Sequence, residues 1–433
     1  MIFKNSFVIA SLALLNSLKA SAACSQVSGN YYCDEASAIL YSGVGYSGTY
    51  KDVTNMDESS CECSQSSVSF SSDLSPLNEE LSVHFRGPLK LSQFAVYYPA
   101  SSYKKVKRDA DPVPKAHHRH HVHKRAASPR TTTVFFAETI YVDTNGYSSF
   151  TSSLSSASVS ASASSASASA SVSALSSSLA GSSKSTVGGS WSRSSYYTPG
   201  SAQNLVFLNN LGGVTDSGTW SSCFGNSLSF CAANGQDASS SSQVLKEVTI
   251  GSDVEYIIYS GSKCGSSSAS GDCGYYRSGI PAYHGFGGSN KIFAFEFTMP
   301  TDSGSASDSN YDMPAIWLLN AKIPRTLQYG SSSCSCWSTG CGELDLFEIL
   351  SSGSDKLISH LHTGQGSDGT SSGGGGSSDF FKRPTSSSMK AVAVLSGSSI
   401  SIVKVDDFDF SSSLDESTVN GWLSESSSSA VLV

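Results

Sequence analysis

Cys341-Gly342-Glu343-Leu344-Asp345-Leu346-Phe347-Glu348-Ile349-Leu350 sets three acids within six residues and interleaves them with large apolar side chains. Successive side chains of a β-strand alternate between faces, so Glu343 and Asp345 share one face and Leu344 takes the other. Strict alternation would send Glu348 to the apolar side. One extra residue between Asp345 and Glu348, a β-bulge, returns Glu348 to the face of its companions, with Leu346 and Phe347 accommodating the bulge. Such a strand has one side for a core and one for chemistry. Three crowded negative charges raise at least one pKa and couple their titrations. Hydrolysis of a glycoside with retention needs one ionised nucleophile and one protonated acid about 5–5.5 Å apart. A straight strand separates the outer acids by about 13–17 Å, so a concave sheet and two long Glu side chains must close that distance. The plainer alternative is a strand whose acids merely face solvent, a common pattern.

Short apolar runs surround this stretch at 205–208, 248–250, 254–259, 292–297, 315–319, 389–395 and 400–405. Ser/Gly-rich turns separate them and long helical periodicity is scarce. This predicts a mainly β fold: an antiparallel β-sandwich of jelly-roll, concanavalin-like type over 196–433. Upstream, Leu81-Ser-Val-His-Phe and Phe94-Ala-Val-Tyr-Tyr flank a Gly87-Pro88 turn, and 23–103 reads as a small β-rich Cys module.

A disordered linker joins the two. Nine of the 27 Lys and Arg lie in 104–130, with His117, His118, His120, His121 and His123. Lys107-Arg108 and Lys124-Arg125 are dibasic pairs that a processing protease would read in an exposed, flexible segment. The histidines lack companion carboxylates or thiols, so a solvated, cleavable segment over 104–147 is preferred to a metal site. Residues 148–195 are a Ser/Ala-rich spacer, with 21 serines in 148–185 alone. It cannot bury enough apolar area to offset its ordering entropy. O-linked sugars are expected on it, and no Asn-x-Ser/Thr sequon occurs anywhere. Serine accounts for 101 of 433 residues and charged residues for 14%. The net charge of −8 argues against nucleic acid as a partner.

The first 22 residues have the three parts of a secretory signal: Lys4, an apolar run at 7–15, and Ala20-Ser21-Ala22. No later run is long and apolar enough for a membrane anchor, so a secreted, wall-retained protein is expected. The 11 cysteines fit an oxidising compartment. Cys24, Cys33, Cys61 and Cys63 form an even set that could close on itself. The later seven are odd in number, leaving one thiol free or paired elsewhere.

Glu343-x-Asp345-x-x-Glu348 matches the bulged signature of family 16 glycoside hydrolases, the β-1,3-glucanase and transglycosylase clan. Ile292-Phe-Ala-Phe-Glu-Phe-Thr-Met-Pro300, Met313-Pro-Ala-Ile-Trp-Leu-Leu319 and Ser359-His-Leu-His362 resemble strands that flank the signature there. The whole layout resembles the fungal "target of SBF" cell-wall family, to which glycosyl hydrolase activity is attributed. The resemblance implies Glu343 as nucleophile, Asp345 as its assistant, Glu348 as acid/base, and His362 facing the site. It implies β-glucan as substrate and no cofactor or catalytic metal. Trp337 stands one residue further from Glu343 than that family usually has, with Cys341 in the extra space and a disulfide to Cys334 or Cys336 suggested there.

Sugars stack on aromatic rings, which makes Trp317, Trp337, Tyr283 and Phe286 candidate platforms, and His284 a candidate donor. For Trp317, between Ile316 and Leu318, a core role is the default. Lys322 and Arg325 are expected on a loop before the signature. The leading expectation is a retaining β-glucan hydrolase of the fungal wall. The alternatives are a wall-cross-linking transglycosylase and a non-catalytic glucan-binding protein.

Overall fold

A computed structural model describes residues 24–27, 30–101, 187–304, 310–365 and 374–432. The signal, the basic segment and most of the spacer lie outside the described residues. In chain order the longer strands are β1 (Ala38–Ser42), β2 (Ser47–Asp57), β3 (Glu62–Ser71), β4 (Leu81–Arg86), β5 (Lys90–Pro99), β6 (Trp191–Thr198) and β7 (Leu205–Asn209). They continue as β8 (Glu255–Ser260), β9 (Lys291–Thr298), β10 (Ala315–Asn320), β11 (Glu343–Glu348), β12 (Lys356–His362), β13 (Met389–Ser396) and β14 (Ser399–Lys404). Two helices are α1 (Lys322–Thr326), where a loop was expected, and α2 (Glu416–Ser424). The run at 248–250 contributes only an isolated bridge, Leu89 to Ile250.

Two antiparallel sheets pack face to face. The first runs β7-β8-β4-β10-β11-β12, extended beyond β12 by Gly374–Gly376. The second runs β6-β5-β9-β13-β14-β1. Strands from before and after the linker therefore interleave in both sheets: β4 lies between β8 and β10, and β5 between β6 and β9. The segments read as a Cys module (23–103) and a sandwich (196–433) share one core, and β6 begins inside the stretch read as spacer.

That core is aromatic. Phe85 stacks on Tyr256 at 5.0 Å, and Phe297 meets Phe347 at 5.2 Å. Each such ring taken out of water contributes roughly 1.5–3 kcal/mol before entropy is counted. The second sheet is covered on its other side as well. Ile292, Ala294, Val392 and Val394 pack there with Phe408, Phe410, Val419 and Trp422 from the C-terminal segment and α2. Both faces of β9 are thus apolar, which is why Ile292-Phe-Ala-Phe reads as a continuous run rather than an alternation. The outer face of the first sheet carries polar residues of β4 and β11 between two apolar clusters, Ala315, Trp317 and Leu319 with Tyr50 of β2, and Val206, Leu208 and Ile257 with Tyr283.

The turn from β4 to β5 needs glycine: a Cβ at Gly87 would lie 2.1 Å from the Gly251 carbonyl oxygen. Five disulfides form among the described residues: Cys24–Cys33, Cys61–Cys223, Cys63–Cys334, Cys264–Cys273 and Cys336–Cys341. The early set does not close on itself, because the β2–β3 hairpin lies against the later loops and brings Cys61 and Cys63 to them. Cys231 is the free thiol, buried in the core.

Candidate active site

β11 lies between β10 and β12, where its side chains are held by partners on both sides. Glu343 stands opposite Leu319 and His362, Asp345 opposite Trp317 and His360, and Glu348 opposite Ala315 and Ile358. The register shifts between Asp345 and Glu348. On the β10 side Phe347 faces Ile316 and Asp345 faces Trp317, which leaves Leu346 as the extra residue. Leu344, Leu346 and Phe347 all enter the main core. Two consecutive residues can do so only at a bulge. The three acids consequently share the outer face of the first sheet.

Their surroundings differ. The Trp337 indole N–H donates to Glu343 Oε2 at 2.5 Å. Burial, then the charges of Asp345 and Glu348, push Glu343 up to about 8, against the pull of His362 and Trp337. Asp345 is held well above the usual carboxylate range by burial and by Glu348, with Arg86 opposing. Asp345 is central and 6% exposed, which disfavours its charged form. While Asp345 is neutral, part of the repulsion on Glu343 is relieved. Glu348 accepts from Arg86 at 3.2 Å. His362 Nε2 lies 3.3 Å from Asp345 Oδ2, and its ring is 4.5 Å from that of His360. Burial and His362 push His360 down to about 3, so it is neutral.

Next to the acids, β4 presents Ser82, His84 and Arg86 on the same face, opposite Leu319, Trp317 and Ala315. His84 stacks on Trp317 at 4.9 Å and bonds Glu255 Oε1 through Nδ1 at 2.8 Å and Ser82 Oγ through Nε2 at 2.9 Å. Burial lowers the pKa of His84. Burial works against the charge of Glu255 too, yet hydrogen bonds from His84, Tyr329 and Gln328 hold it below its ordinary value. Ser82, His84, Arg86, Glu255 and Tyr329 were missed from the sequence. The signal was the alternation in Leu81-Ser-Val-His-Phe-Arg86, whose polar positions fall on one face.

Of the expected site residues, Trp337, Trp317 and His362 come together with the trio. Trp317 is 5% exposed, packed among Tyr50, Leu319, Ile323 and the half-buried Phe70 and Trp337. Tyr283 does not join them. It packs with Val206, Leu208, Ile257 and Tyr259 over β7 and β8, three strands from β11. His284 bonds Glu80 at 2.5 Å and lies 3.3 Å from Asp272, away from the trio's contacts. Phe286 belongs to the main core. Lys322 bonds Tyr50 and Asp52, and Arg325 is buried on Glu80 and backbone carbonyls. Among the described residues Cys264, Cys273 and His284 approach metal-ligand spacing, but the two sulfurs are joined in a disulfide and offer no thiolate.

Fold and site together define a β-sandwich protein with a cluster of carboxyl groups on the outer face of one sheet. Residues 189–422 match the C-terminal model, and 37–99 the N-terminal model, of the family described as cell wall protein YJL171C/Tos1, to which this chain belongs. The chain is 51% identical to a Candida albicans protein named "Probable circularly permuted 1,3-beta-glucanase TOS1", over 97% of this chain and 98% of that protein. A Saccharomyces cerevisiae protein of the same name is 49% identical over 95% of each, and a Schizosaccharomyces pombe relative, also named a probable circularly permuted 1,3-beta-glucanase, is 41% identical over 92% and 93%. No solved structure matches the chain.

Proposed function

We propose that this protein is a secreted β-1,3-glucan-active glycosidase of the fungal wall, working by retaining double displacement. The observation that carries the reading is the bulge of β11, which turns Glu343, Asp345 and Glu348 to one face. The names of its relatives support the substrate class. In the first step Glu343, as carboxylate, attacks the anomeric carbon. Glu348 gives its proton to the glycosidic oxygen as that carbon–oxygen bond breaks. In the second step Glu348, now a base, takes a proton from water, which displaces Glu343 from the sugar. A sugar hydroxyl in place of water would give transglycosylation by the same intermediate. Asp345, protonated between the two, can donate a hydrogen bond to Glu343 as the covalent bond breaks. The Trp337 N–H stabilises the Glu343 anion. The dibasic pairs upstream are proposed as processing sites.

The test is turnover of β-1,3-linked oligosaccharides by the full chain beside Glu343→Gln and Glu348→Gln. Wild type should release products with the β configuration. Each variant should lose at least about 100-fold in kcat. Equal rates for the three proteins would remove the assignment.

A further inference from the structure

Tyr329 is exposed at its ring and held at its hydroxyl. Its side chain is 61% exposed, yet its hydroxyl is tied at 2.5 Å to Glu255 Oε2. An exposed ring that must be ordered on binding costs rotamer entropy, and a ring pinned at its far end has already lost that freedom. The anchor is itself held. Glu255 accepts from Gln328 Nε2 and bonds His84 Nδ1, both at 2.8 Å, and Gln328 Oε1 takes a further bond from Asn210. His84 in turn stacks on Trp317, the cross-strand partner of Asp345.

The register gives the direction. Glu255 is opposite Arg86, Arg86 opposite Ala315, and Ala315 opposite Glu348. Arg86 also bonds Glu348 directly. Three strand spacings separate Glu255 from Glu348, about 14 Å, which is farther than the reacting sugar extends. Trp337, by contrast, is bonded to Glu343 at the other end of the trio. An aromatic residue therefore flanks the acids on each side.

We infer that Tyr329 is a sugar-stacking platform on the Glu348 side of the cleft and binds the part of the glucan that leaves with the glycosidic oxygen. This rests on the proposed function, because it is the acid role of Glu348 that makes this the leaving-group side. The same platform holds the incoming sugar when a hydroxyl replaces water. It thus sets chain-length preference and the balance of hydrolysis and transfer.

Binding of β-1,3-linked oligosaccharides of two to six sugars is measured by calorimetry on the full chain carrying Glu343→Gln, with and without Tyr329→Ala or Tyr329→Phe. Tyr329→Ala should weaken binding of the six-sugar ligand about three- to tenfold, with a smaller effect on the two-sugar ligand. Tyr329→Phe, which keeps the ring but loses the bond to Glu255, should recover only part of that loss. In the active enzyme Tyr329→Ala should lower the share of transfer products. Affinity within twofold of the parent at every length overturns the platform, while turnover by wild type then leaves the proposed function standing. Tyr329-dependent binding without wild-type turnover keeps the platform as a binding site and removes the catalytic reading. No binding of any length overturns the platform outright.

Discussion

Glu343 has to ionise to attack, and its neighbours decide at what pH it does so. Burial and two acids push it up, while Trp337 and His362 favour the anion. The ascending limb of kcat/KM should therefore lie above the ordinary carboxylate range, at or below about pH 8. Trp337→Phe removes a donor to the charged form, so that limb should move up by about one pH unit, which a pH–rate profile of the variant would reveal. A limb that stays in place would show that Trp337 does not tune Glu343. The same shift has a sign for stability. Glu343 binds its proton more tightly folded than unfolded, so its contribution is fully present below its unfolded pKa and is lost as pH rises through about 8. Glu343→Gln should flatten the fall in thermal midpoint between pH 4 and 8 in a calorimetric series; an unaltered slope would contradict the shift.

With six residues from Glu343 to Glu348, the bulge in β11 decides which face Glu348 takes. With Leu346 in place, Glu348 meets Arg86 on the outer face, and Leu346 and Phe347 fill the core. Deleting Leu346 removes the bulge but leaves a plain alternation in which Leu344 and Phe347 still enter the core and Glu348 stays on the outer face, one residue nearer Asp345. Urea denaturation should show a loss of about 2–5 kcal/mol from the emptied core position. A deletion variant of near-native midpoint would mean that Leu346 adds little to the core. At the far edge of β12, the glycine strand Gly374–Gly376 answers a steric demand. A Cβ at Gly374 would stand 1.8 Å from the Leu361 carbonyl oxygen, so the strand beside His362 admits no side chain at that position.

At the scale of the molecule, residues 196–433 hold only part of each sheet. They lack β1, β4 and β5, and with β4 the partners of both β8 and β10. Produced alone, 196–433 should be insoluble or lack a cooperative thermal transition, whereas the full chain unfolds cooperatively. A soluble, cooperatively folding fragment would contradict the shared core. Cutting the full chain between 104 and 186 should leave two pieces that elute as one particle. They should stay linked on a non-reducing gel through Cys61–Cys223 and Cys63–Cys334. Reduction should separate them only after denaturant is added, because the sheets hold them independently of the sulfurs. Closing loops this long raises the free energy of the unfolded chain by about 5 kcal/mol for a single bridge in the entropic model, and the two loops overlap, so their effects are not additive.

What the order of residues determined by itself is local. The β character of the chain, the bulge between Asp345 and Glu348, the turn at Gly87-Pro88 and the placement of Trp337 near Glu343 all follow from a period of two, from turn chemistry or from neighbours a few positions away. Strand order could not be read this way, since a strand such as β4 offers the same alternation wherever it pairs, and only the packing of Val83 and Phe85 into the common core selects its place between β8 and β10. The partners of Cys61 and Cys63 were hidden for the same reason. So were His84, Arg86 and Glu255, which lie far from the trio along the chain and reach its face only when the sheet closes. Tertiary structure also separated residues that composition had grouped: Tyr283 and His284 have the chemistry of a sugar site but sit over other strands, because apolar burial and the bonds to Glu80 and Asp272 hold them there.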